Sequence, residues 1–457
     1  MNWLGDLYSY WFLNKLNVQN LREDTPAKKT SYNPEDKKLD ILGDRILQFN
    51  STATNLEIEV YNSSTNGSID EQVATYNSLG DLSPVWEAGK KLRDRNATER
   101  EIYGVTQNDQ MTEFVAANAT HFEQNFGDNQ DQFPTCLLNG TTPEYGKLIR
   151  FLRGEDIPGC RTRETGEGVW KLGDIVHSTP ETVTYEDEGY SLVFTGANDG
   201  MLHAFRMGEL VRQSDDLQPT KLCNSDSGSC ETDLLGKEEW AFVPKNAMPY
   251  LRYTAFPSYS HIHTIDLKPY VIQQEKGGSK KILIGGMRFG GACGADVHKF
   301  DAVHPPPDTC ADRDGSDCTG RSAYFALDVT DPQNPEYLWS FSPPDLGYSY
   351  SGPAYIKRKD PMASDNKWKH YVMFASGPTS YDGYSSQPLK FFVLDLESGS
   401  KVDEVETSKK NAFGGRLFTD GLDLDGDYQT DYVFMGYTEK SSESTTAGGG
   451  VMKIWTG

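Results

Sequence analysis

The stretch Leu192-Val-Phe-Thr-Gly-Ala-Asn-Asp-Gly-Met-Leu-His-Ala-Phe205 decides the reading of the fold. An apolar, β-branched and aromatic run enters a turn of Gly, Ala, Asn and Asp, and a second apolar run leaves it, the pattern of two strands joined by a tight turn. Neither run alternates apolar with polar residues along its whole length. A continuous apolar run predicts a strand covered on both faces, here by neighbouring units of the same kind.

The template recurs downstream. Ile282-Leu-Ile-Gly-Gly286 is followed, after a cysteine-bearing insertion, by Ala323-Tyr-Phe-Ala-Leu-Asp-Val-Thr330 and Tyr337-Leu-Trp-Ser-Phe341. Tyr371-Val-Met-Phe-Ala-Ser-Gly377 precedes Lys390-Phe-Phe-Val-Leu-Asp-Leu-Glu397, and Tyr432-Val-Phe-Met-Gly436 precedes Gly450-Val-Met-Lys-Ile-Trp455. Repeated four-strand units, each too thin to bury its own faces, predict the blades of a β-propeller. A β-sandwich is the alternative, but a sandwich does not demand the recurrence. Rings close with roughly 4–8 blades, whereas the pattern here gives about four, the last breaking off after Ile454-Trp455. An unfinished blade exposes a strand edge. The expectation is therefore a partial propeller, either truncated or completed by a second chain.

Upstream, residues 1–164 read as an irregular α/β segment rich in Asn, Asp, Thr and Ser. Helices are predicted at Pro84–Arg95, where Val85, Ala88, Lys91 and Leu92 fall at helical spacing, and at Tyr145–Arg153, with Leu148, Ile149 and Leu152 on one face. Four glycines and a proline between Gly154 and Gly168 mark a boundary near residue 165. The fold class is thus mainly β: quinoprotein-like four-stranded blades over residues 165–457, preceded by the irregular segment.

The chain has 457 residues, with 44 basic and 67 acidic side chains and a formal charge of −23. A surface so negative repels phosphate backbones and anionic lipid, which argues against nucleic-acid binding and basic-patch membrane docking. No run approaches the ~18 apolar residues of a membrane span. Residues 1–20 lack a secretory pattern, since Asp6, Asn14 and Lys15 break the apolar stretch. The protein is either intracellular or exported by a signal upstream of the sequence given. Seven cysteines favour export. Cys223 with Cys230, Cys310 with Cys318, and Cys136 with Cys160 bracket loops, which suits disulfide staples; Cys293 is left over. A zinc site is the alternative, but no Cys-x-x-Cys pair occurs.

The sharpest chemical signal is Asp423-Leu-Asp-Gly-Asp-Tyr-Gln-Thr-Asp431. Asp423, Asp425, Asp427 and Asp431 occupy positions 1, 3, 5 and 9, the alternation with which a loop wraps oxygens around Ca²⁺, and Gln429 at position 7 offers its backbone carbonyl. Four like charges in nine residues repel, and a divalent cation removes that cost. Phe434 stands where an EF-hand places its bidentate Glu, so a hairpin-borne calcium loop is expected. The alternative is a solvated acidic turn. Asp312-Arg-Asp-Gly-Ser-Asp317 is less regular and reads as a polar turn. His261-Ile-His263 would set two imidazoles on one strand face; with no third ligand identifiable, a structural role is expected. The chain has no Gly-x-Ser-x-Gly elbow, His-Glu-x-x-His, Walker loop or Cys-x-x-Cys-His site, and no catalytic residues are assigned. Blades of this style also build pyrroloquinoline-quinone dehydrogenases, which makes oxidoreductase the rival class, with a generic extracellular scaffold as the third. Adjacent cysteines of the kind such enzymes place over the cofactor are missing here.

Trp170-Lys-Leu-Gly-Asp-Ile-Val-His-Ser-Thr-Pro180 followed by Phe194-Thr-Gly-Ala-Asn-Asp-Gly-Met-Leu-His-Ala-Phe205 resembles the propeller entry of PilY-type proteins of type IV pili. Trp240-Ala-Phe-Val-Pro244, Ala326-Leu-Asp-Val-Thr-Asp-Pro332 and the Asp423 loop are similar to the same family, as are Leu21-Arg-Glu-Asp-Thr25 and Ser83-Pro-Val-Trp-Glu-Ala-Gly89 upstream. The resemblance implies a secreted, non-enzymatic, calcium-binding propeller that assists pilus assembly and sits at the pilus tip as an adhesin. It further implies pilins, minor pilins and the assembly machinery as partners. Calcium held by Asp423, Asp425, Asp427, Gln429 and Asp431 would then control extension against retraction.

Overall fold

The structure is a computed structural model that describes residues 3–25, 36–51, 55–226, 229–274, 279–291, 320–360, 368–442 and 444–456. Cys293, the Cys310/Cys318 pair and the Asp312–Asp317 turn lie outside them.

The deciding stretch forms the strands Tyr190–Gly196 and Leu202–Arg212, paired antiparallel. Gly200 in their turn has φ +96°, and a Cβ there would stand 2.2 Å from the Leu251 side chain, so the turn requires glycine. Glu181–Tyr185 and Glu238–Val243 flank the hairpin and complete the first four-stranded unit. A second antiparallel meander follows, of Tyr270–Gln273, Lys281–Gly286, Tyr324–Asp328 and Glu336–Phe341. A third comprises Ala354–Lys359, Trp368–Ala375, Lys390–Asp395 and Lys401–Glu406. The last sheet has three strands, Ala412–Leu417, Tyr432–Glu439 and Gly448–Trp455. The chain is mainly β, as expected.

The sheets pack face to face in chain order. Leu192, Phe194, Trp240 and Phe242 of the first share a core with Leu283, Phe325 and Leu327 of the second. Ile282, Ile284 and Tyr324 of the second meet Val372, Phe374 and Phe392 of the third. Met373 and Phe391 of the third meet Leu417, Val433 and Met435 of the last. A tryptophan pegs two of these junctions. Trp240 Nε1 donates to the Pro332 carbonyl at 2.9 Å, and Trp339 Nε1 to the Leu396 carbonyl at 2.9 Å, each from the fourth strand of one sheet to the segment after the third strand of the next. Each ring buries ~150–250 Å² while its one polar atom stays satisfied.

All seven residues of Tyr190–Gly196 are buried. One face meets the second sheet, but the other is not covered by a unit of the same kind. Val193 and Phe205 pack on Trp11, Leu13, Trp86, Ala88 and Leu92 of the N-terminal segment. That segment is also more regular than the sequence pattern suggests. Trp11–Lys15, Val18–Arg22, Ile46–Ser51, Leu56–Ser63 and Ile69–Tyr76 form a five-stranded meander. Its own core is small, essentially Leu47, Ile58, Val60 and Leu82, with Leu21, Leu56 and Tyr76 partly buried against it. Of the two expected helices, one spans Tyr145–Arg153 and the other is shorter, Ala88–Asp94. Contacts cross position 165 freely. Ile102–Val105 adds to the first sheet in parallel beside Glu238–Val243, and the Tyr145–Arg153 helix shares a core with Ala241, Val243 and Met248. Two of the expected cystine pairs are formed, Cys136–Cys160 and Cys223–Cys230, with Cα separations of 5.4 and 5.0 Å.

Candidate metal centre

Between Leu417 and Tyr432 the last sheet carries the acidic loop. Its base is pinched shut: the Leu422 amide donates to the Tyr432 carbonyl and the Asp431 amide to the Leu422 carbonyl, each at 2.8 Å. Buried Thr430 ties the loop to the third sheet, donating its amide to the Lys357 carbonyl and accepting from the Lys357 amide at its hydroxyl, both at 3.0 Å. Within this frame the carboxylates fold the loop. Asp423 accepts the amides of Gly426 and Tyr428 at 2.8 Å each, Asp425 that of Asp427 at 3.1 Å, and Asp431 that of Leu424 at 2.8 Å. Tyr428 and Gly426 take the left-handed conformation, φ +69° and +79°, that so tight a wrap demands.

Asp423, Asp425 and Asp431 converge, each offering a carboxylate oxygen within 4.8 Å of the others. Oxygens bound at about 2.4 Å to one Ca²⁺ stand at most about 4.8 Å apart, so the arrangement fits a hard cation. Asp427 does not join them. Its oxygens accept the Gln429 amide and side chain at 2.8 and 2.6 Å, and Lys359 Nζ lies 3.9 Å away. The Gln429 side-chain hydrogen bond, with the Gln429 amide, holds the Asp427 carboxyl below its usual range. The Gln429 Oε1 atom accepts the Lys359 amide at 3.0 Å, so its side chain is committed.

Further groups of titratable side chains lie elsewhere among the described residues, and two hold histidines against carboxylates. The first is buried in the first sheet. Arg100 grips Glu238 with Nε and Nη2 at 2.8 Å each, and His203 bridges Glu238 (Nδ1, 2.8 Å) to Asp199 (Nε2, 3.2 Å). Burial alone would lower the His203 pKa, but Asp199 and Glu238 outweigh it and push it up to about 9. Burial alone would raise Glu238, but Arg100 and then His203 hold it well below the carboxylate range. The sequence contains every member, yet nothing in the spacing joins Arg100 to Glu238.

The second group corrects the expectation for His261 and His263. They lie on an irregular segment, not a strand, with rings at 83° and centroids 4.7 Å apart. His261 Nε2 meets Asp174 at 2.7 Å. His263 Nδ1 lies 3.6 Å from Asp266 Oδ2, and His177 Nδ1 stands 2.8 Å from the same oxygen. The third polar group that the sequence could not supply is 89 positions away from Asp266 in the chain, which hides it from any spacing argument.

Successive antiparallel sheets stacked in chain order, with an acidic loop on the last, define a repeat-built β protein with a candidate cation loop. No family model matches the chain. It is 27% identical over 323 residues to the type IV pilus biogenesis factor PilY1 of Pseudomonas aeruginosa (strain PAK), covering 63% of this chain and 22% of that protein. The PilY1 of Pseudomonas aeruginosa (strain UCBPP-PA14) is 24% identical over 393 residues, covering 77% and 27%. A PilY1 homolog of Xylella fastidiosa is 27% identical over 328 residues, covering 65% and 21%. The matched region thus spans between a fifth and just over a quarter of these curated relatives. Among solved structures, the Pseudomonas aeruginosa PilY1 C-terminal domain matches 54% of this chain and 37% of that chain at 24% identity, with a TM-score of 0.32. The sequence matches relate the chain to the PilY-type proteins, as its motifs imply.

Proposed function

We propose that this chain is a calcium-binding, non-enzymatic part of a type IV pilus biogenesis factor, its stacked sheets being blades of a β-propeller. The convergence of Asp423, Asp425 and Asp431 carries the calcium reading. The names of the relatives support the pilus assignment. In this reading the protein acts outside the cell at the pilus tip, with pilins, minor pilins and the assembly machinery as partners, and takes part in adhesion. A second chain pairs beside the exposed strand Gly448–Trp455, where Val451 and Trp455 face solvent.

Calcium would act on the loop locally. Asp423, Asp425 and Asp431 supply carboxylate oxygens and Gln429 its carbonyl, while Asp427 joins only by leaving Lys359. Neutralising the cluster orders this loop of the last sheet, which Thr430 ties to the third, and biases the contacts that set pilus extension against retraction. Calorimetric titration of the whole chain tests the first step. Wild type should bind one Ca²⁺, Asp425→Ala should lose at least tenfold in affinity, and Asp427→Ala should lose less. Equal heats from wild type and Asp425→Ala would remove the calcium reading. Normal twitching and piliation in a strain carrying Asp425→Ala would remove the regulatory one.

A further inference from the structure

We infer that His177, His263 and Asp266 form a second metal centre, for a borderline divalent cation of the Zn²⁺ type, separate from the carboxylate loop. One ligand atom from each lies within 4.8 Å of the others. Zinc bonds of about 2.0–2.2 Å place tetrahedral donors about 3.3–3.6 Å apart. The distances from Asp266 Oδ2 to the two imidazole Nδ1 atoms, 2.8 and 3.6 Å, bracket that edge.

The site is built rather than accidental. The Asp266 side chain is 1% exposed, and its Oδ1 accepts the His177 amide at 3.0 Å, which aims Oδ2 at both rings. The segments bearing the ligands are fastened to each other and to the first sheet. Ser178 Oγ donates to the Leu267 carbonyl, the Thr264 amide to Asn198 Oδ1, and Thr264 Oγ1 to the Ala197 carbonyl. The His177 side chain is 43% exposed, so a fourth position opens to solvent for water or an incoming group. Two imidazoles and one carboxylate select Zn²⁺, Cu²⁺ or Ni²⁺ over Ca²⁺, which prefers six or more oxygens. Arg288 is the competitor: its Nη1 lies 3.2 Å from the same Oδ2, held there by the rings of Phe289 and Tyr350. A bound metal takes the other side of that oxygen, against the repulsion of the guanidinium.

Titration of the chelator-stripped whole chain with Co²⁺, read by visible absorption, and displacement by Zn²⁺ test this. Wild type and Asp425→Ala should both give a tetrahedral Co²⁺ band that Zn²⁺ bleaches and Ca²⁺ does not. The double variant His177→Ala/His263→Ala should lose the band, and Arg288→Met should bind at least threefold more tightly. A band unchanged in the double variant, or absent from wild type, overturns the inference. Zn²⁺ should also shield His177 from carbethoxylation in the unmutated chain, mapped by mass spectrometry; equal modification with and without Zn²⁺ overturns it without any variant. Because Asp425→Ala removes only the calcium loop, failure of one centre is distinguishable from failure of the other.

Discussion

Replacing Glu238 by Gln removes the charge on which the buried network of the first sheet converges. Both the carboxylate and its two cationic partners, Arg100 and His203, have fully buried side chains. The amide keeps one acceptor and turns an NH₂ group toward donors. Removing one partner of a buried pair costs about 3–5 kcal/mol, because the other charge is left uncompensated. Burial alone would lower the His203 pKa, and attraction to its two carboxylates outweighs that and pushes it from 6.5 up to about 9, a net stabilisation of the charged form in the folded state. Because the folded pKa lies above the unfolded one, that stabilisation is fully present below pH 6.5 and fades as pH rises through about 9. Hydrogen exchange read on peptides covering Leu202–Arg212 and Glu238–Val243 is the assay. Exchange in the variant should accelerate by about two to three orders of magnitude at neutral pH, following 1.4 kcal/mol per tenfold change, while Lys390–Asp395 in the third sheet stays unchanged. The wild type should lose protection between pH 7 and 9.5, and the variant should show a flatter profile. Acceleration below threefold, or an alkaline profile identical to wild type, would refute the reasoning.

Two other outcomes follow from the packing. Trp339→Ala should destabilise the junction of the second and third sheets by about 3–5 kcal/mol, seen as a lower urea midpoint for loss of tertiary signal; a midpoint within error of wild type would show that the peg carries no load. Opening Cys136–Cys160, whose halves are 24 positions apart, should cost about 3 kcal/mol by chain entropy, and opening Cys223–Cys230, 7 apart, about 2 kcal/mol. Paired Cys→Ser variants compared by denaturation should rank in that order, and the reverse ranking would contradict the loop-length account.

Much of the β architecture is legible in the chain because its strands advertise themselves locally. Runs such as Leu192–Phe194 and Phe391–Leu394 are continuously apolar, and the glycine at position 200 has no tolerable replacement. The helix Tyr145–Arg153 shows through its spacing, and the Asp423–Asp431 loop through its odd-numbered carboxylates. These are properties of neighbours in sequence, with periods of two or 3.6 residues. The meander Trp11–Tyr76 is less legible because its own core is small and Phe12, Phe49, Ile69 and Val73 stay exposed, so apolar residues there do not mark a single buried face.

What tertiary structure alone decides is which distant groups meet. Only the fold turns Asp427 toward Lys359 and away from the other carboxylates, although all four stand at regular spacing. Only the fold brings His177 to Asp266 and Arg100 to Glu238, and lays Trp11 and Trp86 against the open face of the first sheet. A local pattern records how each segment buries itself. Interaction between charges depends on separation in space, which sheet stacking sets and residue spacing along the chain does not.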